Sequence, residues 1–193
     1  PEAATRAYLA TLPADKKASS DAYFEGGYWL ILWDFVVSAV VYLVLLSTGF
    51  SARMRDTAER MTASATLQSV IYWALFLAVT SIVTLPWNIY EGFVREHSYG
   101  LSNLTFGGWL GEQAKGFGIA LVFGAIMIAV LYAIVRTLPR TWWVWGAIAG
   151  IAFVFFASVI APVVLTPIFN SPKKLTDARV VDPILRLARQ NGI

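Results

Sequence analysis

The single histidine of the chain, His97, is the first residue to consider for metal or acid–base chemistry. It lies in the run Arg95-Glu96-His97, and the 193-residue sequence contains no Cys. Zinc sites in proteins use three or four side-chain ligands, drawn mainly from His, Cys and carboxylates. The zinc-protease motif H-E-x-x-H and the nucleophile motif G-x-S-x-G are both absent from the sequence. We therefore expect no metal cofactor in this chain, and we interpret His97 as a surface or interface histidine.

The segment from Glu91 to Gly116 is the most unusual in the chain, because it mixes charged and aromatic residues with six glycines. A phosphate-binding loop would need the pattern G-x-x-x-x-G-K-[ST] after a strand, and this segment does not provide it. We interpret the segment instead as a re-entrant or interfacial loop whose glycines permit close packing.

Asp34 is the only charged residue between Tyr28 and Leu46. A carboxylate that faces lipid at the centre of a bilayer costs about 2.5–3.5 kcal/mol on the insertion scale, so Asp34 should face protein or water. A proton or ion path needs several polar groups, and the other apolar stretches show no acidic partner. The sequence favours a polar contact between helices or the edge of a water-filled cavity.

Four largely apolar stretches are long enough to position these residues within a membrane. A bilayer core of about 30 Å needs roughly 20 helical residues, and the predicted spans are 28–46, 67–85, 117–138 and 142–165. The composition agrees, with 58% hydrophobic and 14% charged residues. Soluble domains carry about 25% charged residues. The composition excludes a soluble domain and a disordered chain, and it predicts an all-α, multi-pass transmembrane helical bundle.

Polar segments flank the predicted transmembrane domain, which covers residues 27–167. Residues 1–26 are predicted to form a polar N-terminal arm, and the stretch 49–66 a polar loop. Residues 168–193 are predicted to form a linker and a C-terminal amphipathic helix, with apolar residues at helical spacing. The chain begins with Pro1 and stops just after this helix, so we expect it to be part of a longer protein.

The charge distribution predicts an orientation in the membrane. Four spans place both termini on one side, and that side carries ten basic residues against five on the other. By the positive-inside rule the termini are expected in the cytoplasm. The formal net charge of +3 is too small to indicate a nucleic-acid partner.

Two stretches of the sequence contain residues whose types and spacing, taken together, indicate a protein family. The first contains Glu96, Tyr99, Gly100, Asn103, Thr105, Glu112 and Lys115, and the second contains Pro167, Ile168, Phe169 and Asn170. They resemble the patterns E-x-x-(F/Y)-G-(F/L)-(S/N) with a later (D/E)-x-x-K, and P-(L/I)-F-N, of the type I CAAX prenyl proteases. These proteases are integral-membrane zinc metallopeptidases.

The resemblance implies a function for a longer parent protein. The parent would carry H-E-x-x-H and a further Glu ligand beyond Ile193, and this site would hold the zinc. This chain would supply a non-catalytic scaffold around an intramembrane chamber, lined or gated by Asp34 and polar groups of the Glu96–Lys115 segment. Its expected partners are the lipid bilayer, its own C-terminal catalytic domain and a peptide or protein substrate, prenylated or not.

Two other classes of function remain open from the sequence. The chain could be a small transporter or channel subunit, or a structural membrane protein without chemistry. The lack of an internal repeat and the lone intramembrane acid disfavour a transporter. An H-E-x-x-H motif downstream would support the peptidase.

Overall fold

The computed structural model describes residue 11 and residues 13–169 and 178–190, and these residues are almost entirely helical, with no strand among them. The helices are α1 (Ala14–Ser47), α2 (Phe50–Met61), α3 (Ala65–Ile89), a π-helical turn (Tyr90–Arg95), α4 (Glu96–Ser98), α5 (Phe106–Thr137), α6 (Trp142–Ile160), a second π-helical turn (Ala161–Leu165), α7 (Thr166–Phe169) and α8 (Ala178–Gln190).

Four continuous helical segments are long and apolar enough to cross a membrane. They are Ala14–Ser47, Ala65–Ser98, Phe106–Thr137 and Trp142–Phe169. The predicted all-α transmembrane bundle is therefore confirmed. Each segment is longer than its prediction, because hydropathy marks only the part of a helix that matches lipid. Backbone hydrogen bonding continues into the polar flanks.

The first span begins well before the predicted boundary. Helix α1 starts at Ala14, so residues 14–26 of the predicted polar arm are helical, and most of them are exposed. Asp15 lies in the first turn, where a negative charge interacts favourably with the helix dipole. The predicted start at residue 28 marked only the point at which the helix becomes apolar.

The stretch predicted as a polar loop over 49–66 contains helix α2. Gly49 precedes the helix in a left-handed conformation, with φ of 67°. Met54 and Ala58, one turn apart, are buried, while the charged residues of α2 face outwards. Helix α2 packs on α3. Hydropathy missed this helix because only a narrow stripe of it is apolar.

The second span continues past its predicted end at residue 85. Pro86 lies inside α3, and the N–H of Tyr90 donates to the carbonyl oxygens of both Pro86 and Trp87. A proline removes one backbone donor, but the helix continues past Pro86 into the π-helical turn Tyr90–Arg95. The prediction of a loop over 91–116 is wrong at both ends, since only residues 99–105 are non-helical.

Helices α3 and α5 pack side by side. At their closest approach Gly124 of α5 lies against the indole of Trp73, so that a Cβ atom at position 124 would overlap that ring. The absence of a side chain at Gly124 permits this separation of the two helices.

The chain divides into two compact units, Pro1–Ala149 and Gly150–Ile193. In the second unit Pro167 and Phe169 belong to α7. Asn170 and most of the predicted linker lie outside the described residues. The predicted C-terminal amphipathic helix is confirmed as α8, in which Asp182 and Arg186 are exposed and Val181 is half-buried.

Candidate functional site

The residues at 96, 99 and 100 form the end of a helix. The N–H of Leu101 donates to the carbonyl oxygen of Glu96 at 2.9 Å, and the N–H of Gly100 donates to that of His97 at 3.0 Å. This pair of bonds is the Schellman arrangement, which requires a left-handed residue just past the helix. Gly100 has φ of 69°, a conformation that a residue without Cβ adopts easily. The spacing E-x-x-Y-G therefore specifies a helix terminus.

The next helix begins at Phe106, five residues after Leu101. The hydroxyl of Thr105 accepts a hydrogen bond from the N–H of Gly108 at 3.1 Å and so caps the N-terminus of α5. The hydroxyl of Ser102 accepts from the N–H of Leu104 at 3.3 Å. We call residues 96–105 the motif turn, because it ends the second span and starts the third.

An arginine and two tyrosines attach the motif turn to α1. The hydroxyl of Tyr23 donates to Oε1 of Glu96 at 2.9 Å, and Nη2 of Arg95 donates to the carbonyl oxygen of Tyr23 at 2.6 Å. The guanidinium of Arg95 lies 4.0 Å from the ring centre of Tyr23 and 5.5 Å from that of Tyr99. Its side chain is only 10% exposed. Sequence reasoning missed Tyr23 and Arg95, since the partners are more than 70 residues apart.

His97 bridges the two sides of the motif turn and is half-buried. Its Nδ1 lies 2.7 Å from the carbonyl oxygen of Phe93, and its Nε2 lies 2.8 Å from that of Leu104. Both ring nitrogens thus contact backbone oxygens within the fold, a structural role for this histidine.

Aromatic rings pack behind the motif turn. Phe93 makes an edge contact with Phe106, and Phe106 stacks on Trp109. Trp109 is buried at 4% exposure, and its Nε1 lies 3.1 Å from the position of a Cβ atom at Gly92. Gly92 therefore allows the second span to approach this cluster closely.

The remaining predicted residues of this segment lie away from that packing. Asn103 is exposed in the motif turn. Lys115 donates to Oε1 of Glu112 at 3.0 Å, one turn apart on the surface of α5. A partly exposed ion pair of this kind contributes little to stability.

A second feature is a polar groove of about 380 Å³ between α1 and the second span. Side chains at 80, 84, 88 and 91 recur every three or four residues and so share one face of the second span. The polar residues that line the groove are Asp34, Ser38, Tyr42, Thr80, Ser81, Thr84, Trp87, Asn88 and Glu91. We refer to this cavity as the polar groove.

Asp34 has partners that the sequence did not reveal. The indole Nε1 of Trp87 donates to its Oδ1 at 2.6 Å, and Glu91 lines the same groove. The interpretation of Asp34 as a lone intramembrane acid is therefore wrong, because the second span extends far enough to include Glu91. With a second acid in the groove, Asp34 no longer disfavours a transporter. The signal available in the sequence was the helical spacing from Thr84 to Glu91.

A cavity of about 730 Å³ lies between α1 and the second span, next to the motif turn. Tyr99, Arg95 and Trp33 line it, and Trp87 lines both this cavity and the polar groove. Of the predicted motif residues that the structure describes, only Tyr99 lines the polar groove or this cavity. Asp34 thus lies in the groove, apart from the motif residues with which it was grouped.

The described residues do not provide a metal centre. Within the described ranges no three side chains of His, Cys, Asp or Glu lie close enough together to share an ion. Asp34 and Glu91 make a pair of carboxylates without a third ligand in the groove. These residues do not fit the zinc site implied by the resemblance.

Four membrane-crossing helices with a polar groove and a capped turn define an integral-membrane helical domain. The family of CAAX prenyl protease N-terminal domains, described as having five membrane helices, matches residues 6–171. The chain belongs to this family, which confirms the resemblance seen in the sequence. Four helices of the described part of the chain meet the criteria for a membrane span.

Individual relatives agree with this assignment. The chain is 26% identical over 153 residues to the uncharacterized metalloprotease YhfN of Bacillus subtilis, covering 79% of this chain and 36% of that protein. It is 28% identical over 172 residues to a CAAX prenyl protease 1 homolog of Taenia solium, covering 88% and 34%. It is 28% identical over 130 residues to CAAX prenyl protease 1 of Saccharomyces cerevisiae, covering 67% and 28%. The chain spans about a third of the length of these relatives.

Proposed function

We propose that the chain is the membrane scaffold of a zinc-dependent metalloendopeptidase and that its polar groove forms part of the wall of an intramembrane chamber. The observation that supports this proposal is a groove with two carboxylates, Asp34 and Glu91, on facing membrane spans. The chamber receives a peptide or protein segment as substrate.

The poor solvation of polar groups by lipid supports the chamber. Ionisable groups within membrane spans face a water-filled cavity or a protein partner, because lipid solvates them poorly. A peptide segment also carries backbone N–H and C=O groups that need partners when they leave water. The hydroxyls of Thr80 and Thr84 and the amide of Asn88 offer such partners along one face of the second span.

The zinc and the hydrolytic step belong to another part of the parent protein in this proposal. The described residues do not fit a zinc site, so no step of the reaction is assigned to them. The partner of this scaffold is the parent's own C-terminal catalytic domain, which the amphipathic segment 168–193 joins to it. The motif residues, with Pro167, Phe169 and Asn170, serve to position the helices.

The peptidase test compares single substitutions in the full-length parent enzyme, purified and reconstituted in liposomes. Asp34→Asn and Glu91→Gln keep the size of the side chain and remove the charge. We expect each to lower peptidase activity by about tenfold, the effect of a lost interaction worth roughly 1.4 kcal/mol, with bound zinc unchanged. Glu25→Gln, at an exposed position of α1 outside the groove, is the matched control and should retain activity. Unchanged activity in both groove variants would refute the chamber role.

The orientation of the domain is tested separately. We propose that both termini face the cytoplasm, because their side of the membrane carries ten of the fifteen basic residues, and that the motif turn lies on the same side, because its Glu96 accepts a hydrogen bond from Tyr23 near the start of α1. The chain contains no Cys, so single cysteines report accessibility without background. Cysteines at exposed Ser19 and Asn103 should be protected from a membrane-impermeant thiol reagent in intact cells, whereas a cysteine at Thr141 should be labelled. The opposite pattern would reverse the orientation.

A further inference from the structure

A third cavity lies at the ends of the second and third spans that are opposite to the motif turn. It has a volume of about 720 Å³ and is enclosed by α2, the start of α3 and the end of α5. Ligand-binding pockets commonly measure about 300–1,000 Å³. None of the residues singled out in the sequence lines this cavity, and the proposed peptidase function does not use it.

The rim of the cavity carries two arginines, Arg55 and Arg136, and one carboxylate, Glu59. Arg136, in the last turn of α5, donates from Nη2 to the carbonyl oxygen of Ala65 at 2.7 Å and to the hydroxyl of Ser69 at 3.0 Å. In the described part of the chain no carboxylate lies within ion-pair distance of Arg136. Arg55 of α2 also lines the rim and pairs with Glu59, at 3.6 Å. The rim therefore carries one guanidinium whose charge is not balanced.

The floor of the cavity is apolar. Trp73 and Phe76 of α3 and Ile128 of α5 line it, on the side toward the middle of the spans. Arg136 directly follows the uncharged run 117–135, the part of α5 that matches the lipid core, so its side chain lies at the depth of lipid headgroups. An arginine at headgroup depth above an apolar floor is complementary to an amphiphile with a negative head.

We propose that this cavity binds an anionic phospholipid, with its phosphate at Arg136 and its acyl chains against Trp73, Phe76 and Ile128. A guanidinium forms short, charge-assisted hydrogen bonds with phosphate oxygens. The hydrogen bond with Asp56, followed by the charges of Asp56 and Glu59, raises the pKa of Arg55.

The test measures retained lipid by native mass spectrometry on the full-length protein, released from nanodiscs of equal parts phosphatidylglycerol and phosphatidylcholine. We expect the wild type to keep one phosphatidylglycerol molecule in preference to phosphatidylcholine. Arg136→Gln should reduce that preference by about tenfold, the equivalent of one charge-assisted contact. Arg60→Gln removes the same charge from exposed α2 outside the cavity and should keep the preference.

Other outcomes decide against the proposal. Equal lipid preference in wild type and Arg136→Gln, or an equal loss in Arg60→Gln, would overturn it. Displacement of the lipid by inorganic phosphate alone would show an anion site rather than a lipid site. If Arg136→Gln does not fold, Arg55→Gln serves instead, since its side chain is 63% exposed. That variant should weaken the preference about threefold, and no change in it would refute the proposal.

Discussion

Replacing Gly124 with Ala tests the packing of the second and third spans at its tightest point. A Cβ atom at position 124 would overlap Cζ2 of Trp73 and lie 2.6 Å from its Nε1. The indole is a rigid double ring, and its Nε1 is buried without a hydrogen-bond partner in the described structure. The indole ring has no flexible end that could move away from the new methyl group, so α3 and α5 must separate.

The expected magnitude follows from two opposing contributions. Overpacking a close contact costs about 1–3 kcal/mol. Ala is favoured over Gly within a helix by up to about 1 kcal/mol. Gly118, on the same helix, provides the matched control, because a Cβ atom there meets no described atom within 4 Å. The helix-propensity gain is common to both positions, so Gly124→Ala should be less stable than Gly118→Ala by about 1–3 kcal/mol.

The assay is reversible unfolding of the protein in mixed micelles, followed by helical circular dichroism. The free energy of unfolding is compared among wild type, Gly118→Ala and Gly124→Ala. The double variant Trp73→Phe with Gly124→Ala should recover most of the difference, because the overlapping indole atoms are removed. Equal stability of the two alanine variants, or no recovery in the double variant, would refute this account of the helix contact.

Three further substitutions test the connections around the groove and the motif turn. Gly100→Ala should lower the free energy of unfolding by about 1–2 kcal/mol, since the left-handed conformation is strained for Ala; chemical denaturation measures this. Trp87→Phe removes the hydrogen-bond donor to Asp34 and should lower the free energy of unfolding by about 1–3 kcal/mol. Backbone hydrogen exchange in the second span should become faster in this variant. Tyr23→Phe removes the hydroxyl that donates to Glu96 and should lower the free energy of unfolding by about 0.5–1.5 kcal/mol. An unchanged free energy of unfolding would mean that this hydrogen bond contributes nothing to stability.

Much of the fold was predictable because lipid imposes a simple rule on sequence. A membrane span must be a continuous run of apolar residues, so hydropathy located all four spans, including 67–85 and 142–165. The same rule explains the errors at the boundaries. Outside the lipid, a helix is specified by caps, such as Thr105, and by periodicity, and hydropathy does not detect either.

The candidate site was predictable only in part. The pattern from Glu96 to Lys115 identified the family, and the chemistry of Gly100 and Thr105 follows from local backbone geometry. The i, i+3 spacing of Glu112 and Lys115 on one helix accounts for their ion pair. Asp34 was recognised as a polar residue within a span, yet its neighbours came from a different helix. Nothing in the local sequence indicates which face of α3 meets α1.

The sequence by itself determined the class of protein, the number of spans and the family, since these depend on composition and on short local patterns. Tertiary structure alone decided that Trp87 and Glu91 share a groove with Asp34 and that Tyr23 and Arg95 hold the motif turn. These pairings join residues more than 50 positions apart. They arise from the relative rotation and depth of packed helices, which depend on contacts such as Gly124 against Trp73 rather than on any single stretch of sequence.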